Sequence, residues 1–124
     1  MSLSVSVVPV TPYQQNCSVI KCNETGLAAV VDPGGDIDLI QAAIEKMDAK
    51  VEKILLTHGH MDHCAAADVL RKQWGVPIEG PEEADRFWID NLPKWCEMSG
   101  FPTAEAFEPD RWLLDGETVT VGNL

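Results

Sequence analysis

The first residues alternate, with Leu3, Val5 and Val7 apolar and Ser2, Ser4 and Ser6 polar, the period-two rhythm of a half-buried strand. Pro9, Thr11 and Pro12 end that strand. Cys17–Cys22 reads as a second strand, Asn23–Gly26 as a turn, and the continuous apolar run Leu27–Val31 as a buried third strand. Asp32-Pro33-Gly34-Gly35 is turn chemistry that delivers the chain to Asp36. Asp36 is suited to cap a helix whose Ile37, Ile40, Ile44 and Met47 fall on one stripe. Val51–Thr57 is the next strand, and its unbroken Ile54-Leu55-Leu56 run predicts burial on both faces. A short polar loop, His58–His63, follows. Helix formers run from Cys64 to Trp74, with Gly75 placed for a left-handed C-terminal cap. Val76–Ile78 predicts a short strand, Pro81 opens a third helix reaching about Asp90, and residues 91–112, with three prolines, read as irregular.

Strand, helix, strand, helix, strand in this order implies parallel pairing through right-handed crossovers, beside an antiparallel N-terminal meander. The fold class is α/β, a mixed sheet with flanking helices. Near the C-terminus Asp115-Gly116 is a hairpin dipeptide, and Val119 and Val121 alternate with Thr118 and Thr120 before Gly122-Asn123 turns again and the sequence stops at Leu124. A strand and a turn with nothing after them mean either a frayed end or a sequence cut before its next strand, and the expectation is the second.

Length changes the picture only by limiting it: 124 residues make one domain's worth of protein with no second unit. Twenty acids against nine Lys and Arg give a formal charge of −11, a field that repels phosphate backbones and anionic membranes, so a membrane is not expected as a partner, nor is nucleic acid unless basic residues cluster on one face. No apolar stretch approaches the ~20 residues of a membrane-spanning helix, and the N-terminus lacks a basic then apolar leader pattern. The expected location is cytoplasmic. Cys17, Cys22, Cys64 and Cys96 form no C-x-x-C pair and are read as reduced thiols.

All three histidines lie within the run Thr57-His58-Gly59-His60-Met61-Asp62-His63. Four side chains of the kinds that zinc and iron prefer thus sit at the end of a buried strand, where open α/β sheets place their sites. In an extended segment side chains two apart share a side, so His58 and His60 can converge on one ion across Gly59. Asp62 and His63 open the following helix, where the chain turns, and can face a second ion.

Thr-His-Gly-His-Met-Asp-His resembles the H-x-H-x-D-H signature of the metallo-β-lactamase superfamily. Gln15-Asn16-Cys17, Val31-Asp32-Pro33-Gly34-Gly35-Asp36 and Gly75-Val76-Pro77-Ile78 with Gly80-Pro81 are similar to its glyoxalase-II-like branch, the hydroxyacylglutathione hydrolases. The resemblance covers most of residues 5 to 124. It implies a four-layered αββα sandwich, of which these residues are the N-terminal half, with two metal ions, usually zinc, at one edge of the sheets. By the same resemblance His58 and His60 serve the first metal and Asp62 and His63 the second, with Asp62 also orienting a hydroxide that attacks a thioester such as S-lactoylglutathione. The sequence departs from the family in carrying Ala65 where a glycine is frequent. It also lacks the second half, so that three further ligands fall beyond Leu124. Each ion would keep two ligands from this chain, whereas a catalytic zinc takes three and a water. The expectation is therefore that the isolated chain is inactive, exposes the inner face of its sheet, and needs the missing C-terminal half or a second chain to complete the site.

Two alternatives stand beside this one. A persulfide dioxygenase of the same fold would hold a single iron through His58, His60 and residues outside the chain, and a half-domain that binds metal or a partner without catalysis would keep the motif for another purpose. Of the remaining residues, Cys64 is read as a small buried residue rather than a sulfur ligand. Trp74, Trp88, Trp95 and Trp112 are read as core rather than a cleft, and Glu82, Glu83 and Asp85 as acids at a helix N-terminus. No substrate-binding residue is identified.

Overall fold

The computed structural model describes residues 3–10, 15–57, 61–82, 85–99, 104 and 106–113, without the side chains of 15, 61, 62 and 99. Six strands form one sheet in chain order: β1 (Leu3–Val10), β2 (Gln15–Cys22), β3 (Leu27–Val31), β4 (Lys50–Leu55), β5 (Ile78–Glu82) and β6 (Arg111–Leu113). The meander β1–β2–β3 is antiparallel, and β3–β4–β5–β6 is parallel, as the order of elements predicts. Helices α1 (Ile37–Lys46), α2 (Met61–Cys64), α3 (Ala67–Trp74), α4 (Arg86–Asp90) and α5 (Leu92–Ser99) complete the described elements.

Residues paired across neighbouring strands point to the same face, so the register separates two surfaces. One face carries Val8, Val10, Cys17, Val19, Ala28, Val30, Ile54 and Ile78, which join Ile40 of α1, Ala67 and Leu70 of α3, Ile89 of α4 and Leu92 and Cys96 of α5 in a single core. The other face begins with Leu3, Val5 and Val7, each more than half exposed, and continues through Ile20, Ala29, Val31 and Leu55. Farther along it changes character: Glu79, 8% exposed, takes Lys53 at 2.9 Å and Arg111 at 3.2 Å across three adjacent strands. Burial on both faces of β4 is thus uneven, since Ile54 and Leu56 are buried while Leu55, on the second face, is only partly so.

A bulge makes this division possible. Ala28 pairs with Val51 but Ala29 pairs with Lys53, so Glu52 is an inserted residue. Two successive polar residues, Glu52 and Lys53, would otherwise put Ile54 on the wrong face.

Several boundaries differ from the pattern-based reading. Asp36 precedes α1 as expected, but in the left-handed region with φ 49° and with no side-chain cap. The single helix from Cys64 to Trp74 is two, α2 and α3, separated by a turn, while Gly75 caps α3 with φ 67° as predicted. Pro81 lies in β5, and α4 starts at Arg86 with Asp85 at the N-cap position but without a side-chain capping hydrogen bond, so Glu82 does not serve a helix N-terminus. The segment read as irregular holds α5 and β6: Pro93 sits at the start of α5, where a missing N–H costs nothing, and Leu92 and Cys96, four apart, are both buried. The strand predicted at Thr118–Val121 lies outside the described residues, as does Glu83. Among the described residues no helix is long and apolar enough to cross a membrane.

Gly80 decides how closely β5 approaches the end of β4. Its φ is +89°, and a Cβ there would run into the Leu56 carbonyl oxygen and sit 3.1 Å from Leu113 Cδ1. Gly80→Ala is expected to destabilise the protein by about 1–3 kcal/mol through the strained backbone, read as a lower urea midpoint with an unchanged slope.

Candidate metal centre

β3 and β4 run parallel and end side by side, so the turn after β3 and the loop after β4 meet at one edge of the sheet. Asp32 is the first residue past β3. Its backbone N–H donates to the Leu55 carbonyl at 2.9 Å, and its φ of 57° turns the chain sharply, a conformation that aspartate tolerates better than most residues. The side chain is thereby aimed across the gap to β4 and is nearly buried, with the residue 6% exposed.

Three groups converge on that carboxylate. The Thr57 N–H donates to Oδ1 at 2.8 Å and the Thr57 hydroxyl to Oδ2 at 2.5 Å, and His63 Nδ1 lies 3.1 Å from Oδ2. Thr57 and His63 bracket residues 58–62, so one side chain grips both ends of the histidine-rich loop. A further bond fixes the same turn to the next helix: the Ala66 N–H donates to the Pro33 carbonyl at 3.0 Å. A carboxylate beside Nδ1 accepts from it, which puts the imidazole proton on Nδ1 and leaves the Nε2 lone pair available. This is the arrangement in which histidines ligate metals, and His63, 23% exposed, is not sealed in the core.

Of the residues expected to hold metal, His58 and His60 lie outside the described residues, and so does the side chain of Asp62, whose backbone belongs to α2. His63 is described, and a donor set of imidazoles with a carboxylate suits zinc or iron. The pattern-based reading missed Asp32 and Thr57. The available signal was an acid ending one buried apolar strand beside the strand that leads into the motif.

Two cysteines lie near the site, both buried. Cys17 is buried, and its thiol is pushed up to about 12 by that burial, with the Asp32 charge adding to the effect. Cys64 is fully buried in the core, in keeping with its reading as a small packing residue. Truncating the central acid, Asp32→Ala, removes an acceptor shared by three groups and is expected to cost about 1–3 kcal/mol. Asp32→Asn, which keeps an oxygen for the Thr57 N–H, should cost less, and urea unfolding of both variants checks the order.

Comparison with known proteins agrees with this geometry. Over 111 residues the chain is 43% identical to the hydroxyacylglutathione hydrolase GloC of Haemophilus influenzae, an alignment covering 90% of this chain and 52% of that protein. Among solved structures it is similar to BLEG-1, a B3 metallo-β-lactamase, with TM-score 0.80, 27% identity, and coverage of 96% of this chain and 57% of that one. It also shares the fold of TTHA1623, crystallised in a di-iron-bound form, with TM-score 0.81, 23% identity, and coverage of 92% and 56%. The chain therefore spans about half the length of these relatives. Residues 10–124 match the model of the metallo-beta-lactamase superfamily, and the chain belongs to that family.

Proposed function

We propose that these residues are the N-terminal half of a metal-dependent hydrolase acting on a thioester such as S-lactoylglutathione. The observation that carries the reading is the Asp32 carboxylate at His63 Nδ1, which presents the other ring nitrogen at the edge where the motif loop leaves β4. The 43% identity to a hydroxyacylglutathione hydrolase over 90% of the chain supports the substrate class.

In this reading His58 and His60 hold one ion and Asp62 and His63 a second, zinc being the expected metal. Metal bound there supplies Lewis acidity toward the thioester carbonyl and lowers the pKa of water from 15.7 toward ~7. The protein's own groups do the rest. Asp32 keeps the His63 proton on Nδ1, the Thr57 bonds hold the start of the loop in register, and the Asp62 carboxylate orients the attacking water and takes its proton. Because a catalytic zinc takes three protein ligands and this chain offers two for each ion, the remaining ligands come from a further polypeptide, about as long again to judge from the half-length match to relatives. The open sheet face bearing Leu3, Val5 and Val7 is where that polypeptide packs. The four cysteines, all buried and unbridged, suit a reducing cytoplasm.

Native mass spectrometry with metal analysis tests the reading. The 124-residue chain alone should hold metal weakly and hydrolyse nothing, and the full-length protein should carry two zinc ions and turn over S-lactoylglutathione. Asp62→Ala in the full-length protein should lower kcat about 10²–10⁴-fold, and Asp32→Ala should weaken zinc binding about 10–100-fold in chelator competition. Two tightly held ions in the isolated chain would overturn the half-site reading. A full-length protein holding one iron and consuming oxygen with a persulfide would replace the hydrolase with a dioxygenase.

A further inference from the structure

Helices α1 and α3 each lead back to the start of a parallel strand, α1 to β4 and α3 to β5. Their C-terminal ends therefore lie at the opposite end of those strands from the loop that follows β4. There the two helices form an open groove of about 220 Å³, lined by Gln41, Ile44 and Glu45 of α1 and by Trp74 of α3. The three α1 residues stand at i, i+3 and i+4 and so share one helix face. Trp74 packs against the core yet stays half-buried, so it also forms a wall of the groove.

The groove carries one charge, and that charge is unpaired. Asp68, Glu79 and Glu108 have cationic partners, whereas the exposed Glu45 carboxylate has no ion pair and the Gln41 amide no hydrogen bond among the described residues. Nearby cations are engaged elsewhere: Lys21 Nζ donates to the Met47 carbonyl at 2.7 Å, and Lys72 pairs with Asp68 at 3.2 Å. Lys46, one position on from Glu45, is turned about 100° round the helix and does not line the groove. Ile44 and Glu45 belong to the last turn of α1 and Trp74 ends α3, so the partial negative charge of two helix C-termini adds to the carboxylate. The formal charge of −11 acts in the same direction, drawing cations in and keeping anions out.

An aromatic ring, a carboxylate, an amide oxygen and an aliphatic side chain in one groove match a flat cation on an alkyl stem. We propose that this groove is a binding site for a small alkylguanidinium ion. The Trp74 ring attracts the cation, and a guanidinium is flatter and more weakly hydrated than an ammonium. The Glu45 carboxylate accepts two parallel N–H bonds from its fork, Gln41 Oε1 accepts a further one, and Ile44 covers the stem. The site is separate from the candidate metal centre and independent of the hydrolase reading.

The probe is n-butylguanidinium, titrated at constant ionic strength into the ¹⁵N-labelled full-length protein, with the Gln41 side-chain amide and Trp74 indole resonances as the readout. Both should shift saturably, and binding should be about tenfold weaker in Glu45→Gln. Because Glu45 is exposed, that substitution tests the site without disturbing the core. The Gln41 shift should be lost in Trp74→Leu and retained in Trp74→Phe, which keeps a ring. n-Butylammonium, with the same stem and charge, should bind more weakly. Shifts that rise linearly with concentration, that survive Glu45→Gln undiminished, or that are equal for the two cations overturn the site.

Discussion

The site depends on one carboxylate placed where two parallel strands end together. Asp32 accepts from the backbone and hydroxyl of Thr57 and holds the imidazole of His63, contacts that span 25 and 31 residues of chain. These contacts offset part of the entropic cost of closing the segment between Thr57 and His63. Through them, the loop begins and ends on the same side chain. The bond from the Ala66 N–H to the Pro33 carbonyl extends the hold to α3, so the turn after β3 positions both the motif and the helix behind it.

The architecture was legible where pattern and propensity agree. Leu27–Val31 is a strand to the residue, α1 begins one residue past the aspartate expected to lead it, and the antiparallel meander and parallel continuation follow from element order. Errors arose where tertiary contacts outvote local signals. Pro81 looks like a helix opener, yet β5 runs through it because Ile78–Pro81 are buried. Pro93 looks like a breaker, yet it stands at the start of α5, whose inner stripe the core demands.

The site was legible in a different way. The histidine-rich run announces metal chemistry by residue type and spacing alone, but its partners do not. Asp32 appears in sequence as turn chemistry after a buried strand, and only the pairing of β3 with β4 converts it into the residue that orients His63. Thr57 looks like the polar end of a strand. Asp32 is invisible to spacing because it comes from a different strand. The four tryptophans look alike in sequence and all end half-buried, Trp74 and Trp112 against the core cluster and Trp88 and Trp95 stacked with Phe87.

The bulge at Glu52 carries a consequence for how the strand tolerates changes in length. Because the ladder is interrupted between Ala28 and Ala29, pairing on the far side, Val30 with Ile54 and Val31 with Leu55, does not depend on how many residues precede it in β4. A one-residue deletion at Glu52 would restore a regular ladder while leaving Ile54 in the core and Thr57 in reach of Asp32. The same deletion at Lys53 would remove the cation that faces Glu79. The bulge thus works as a slack point, letting the first half of β4 gain or lose a residue while the half that leads into the motif keeps its phase.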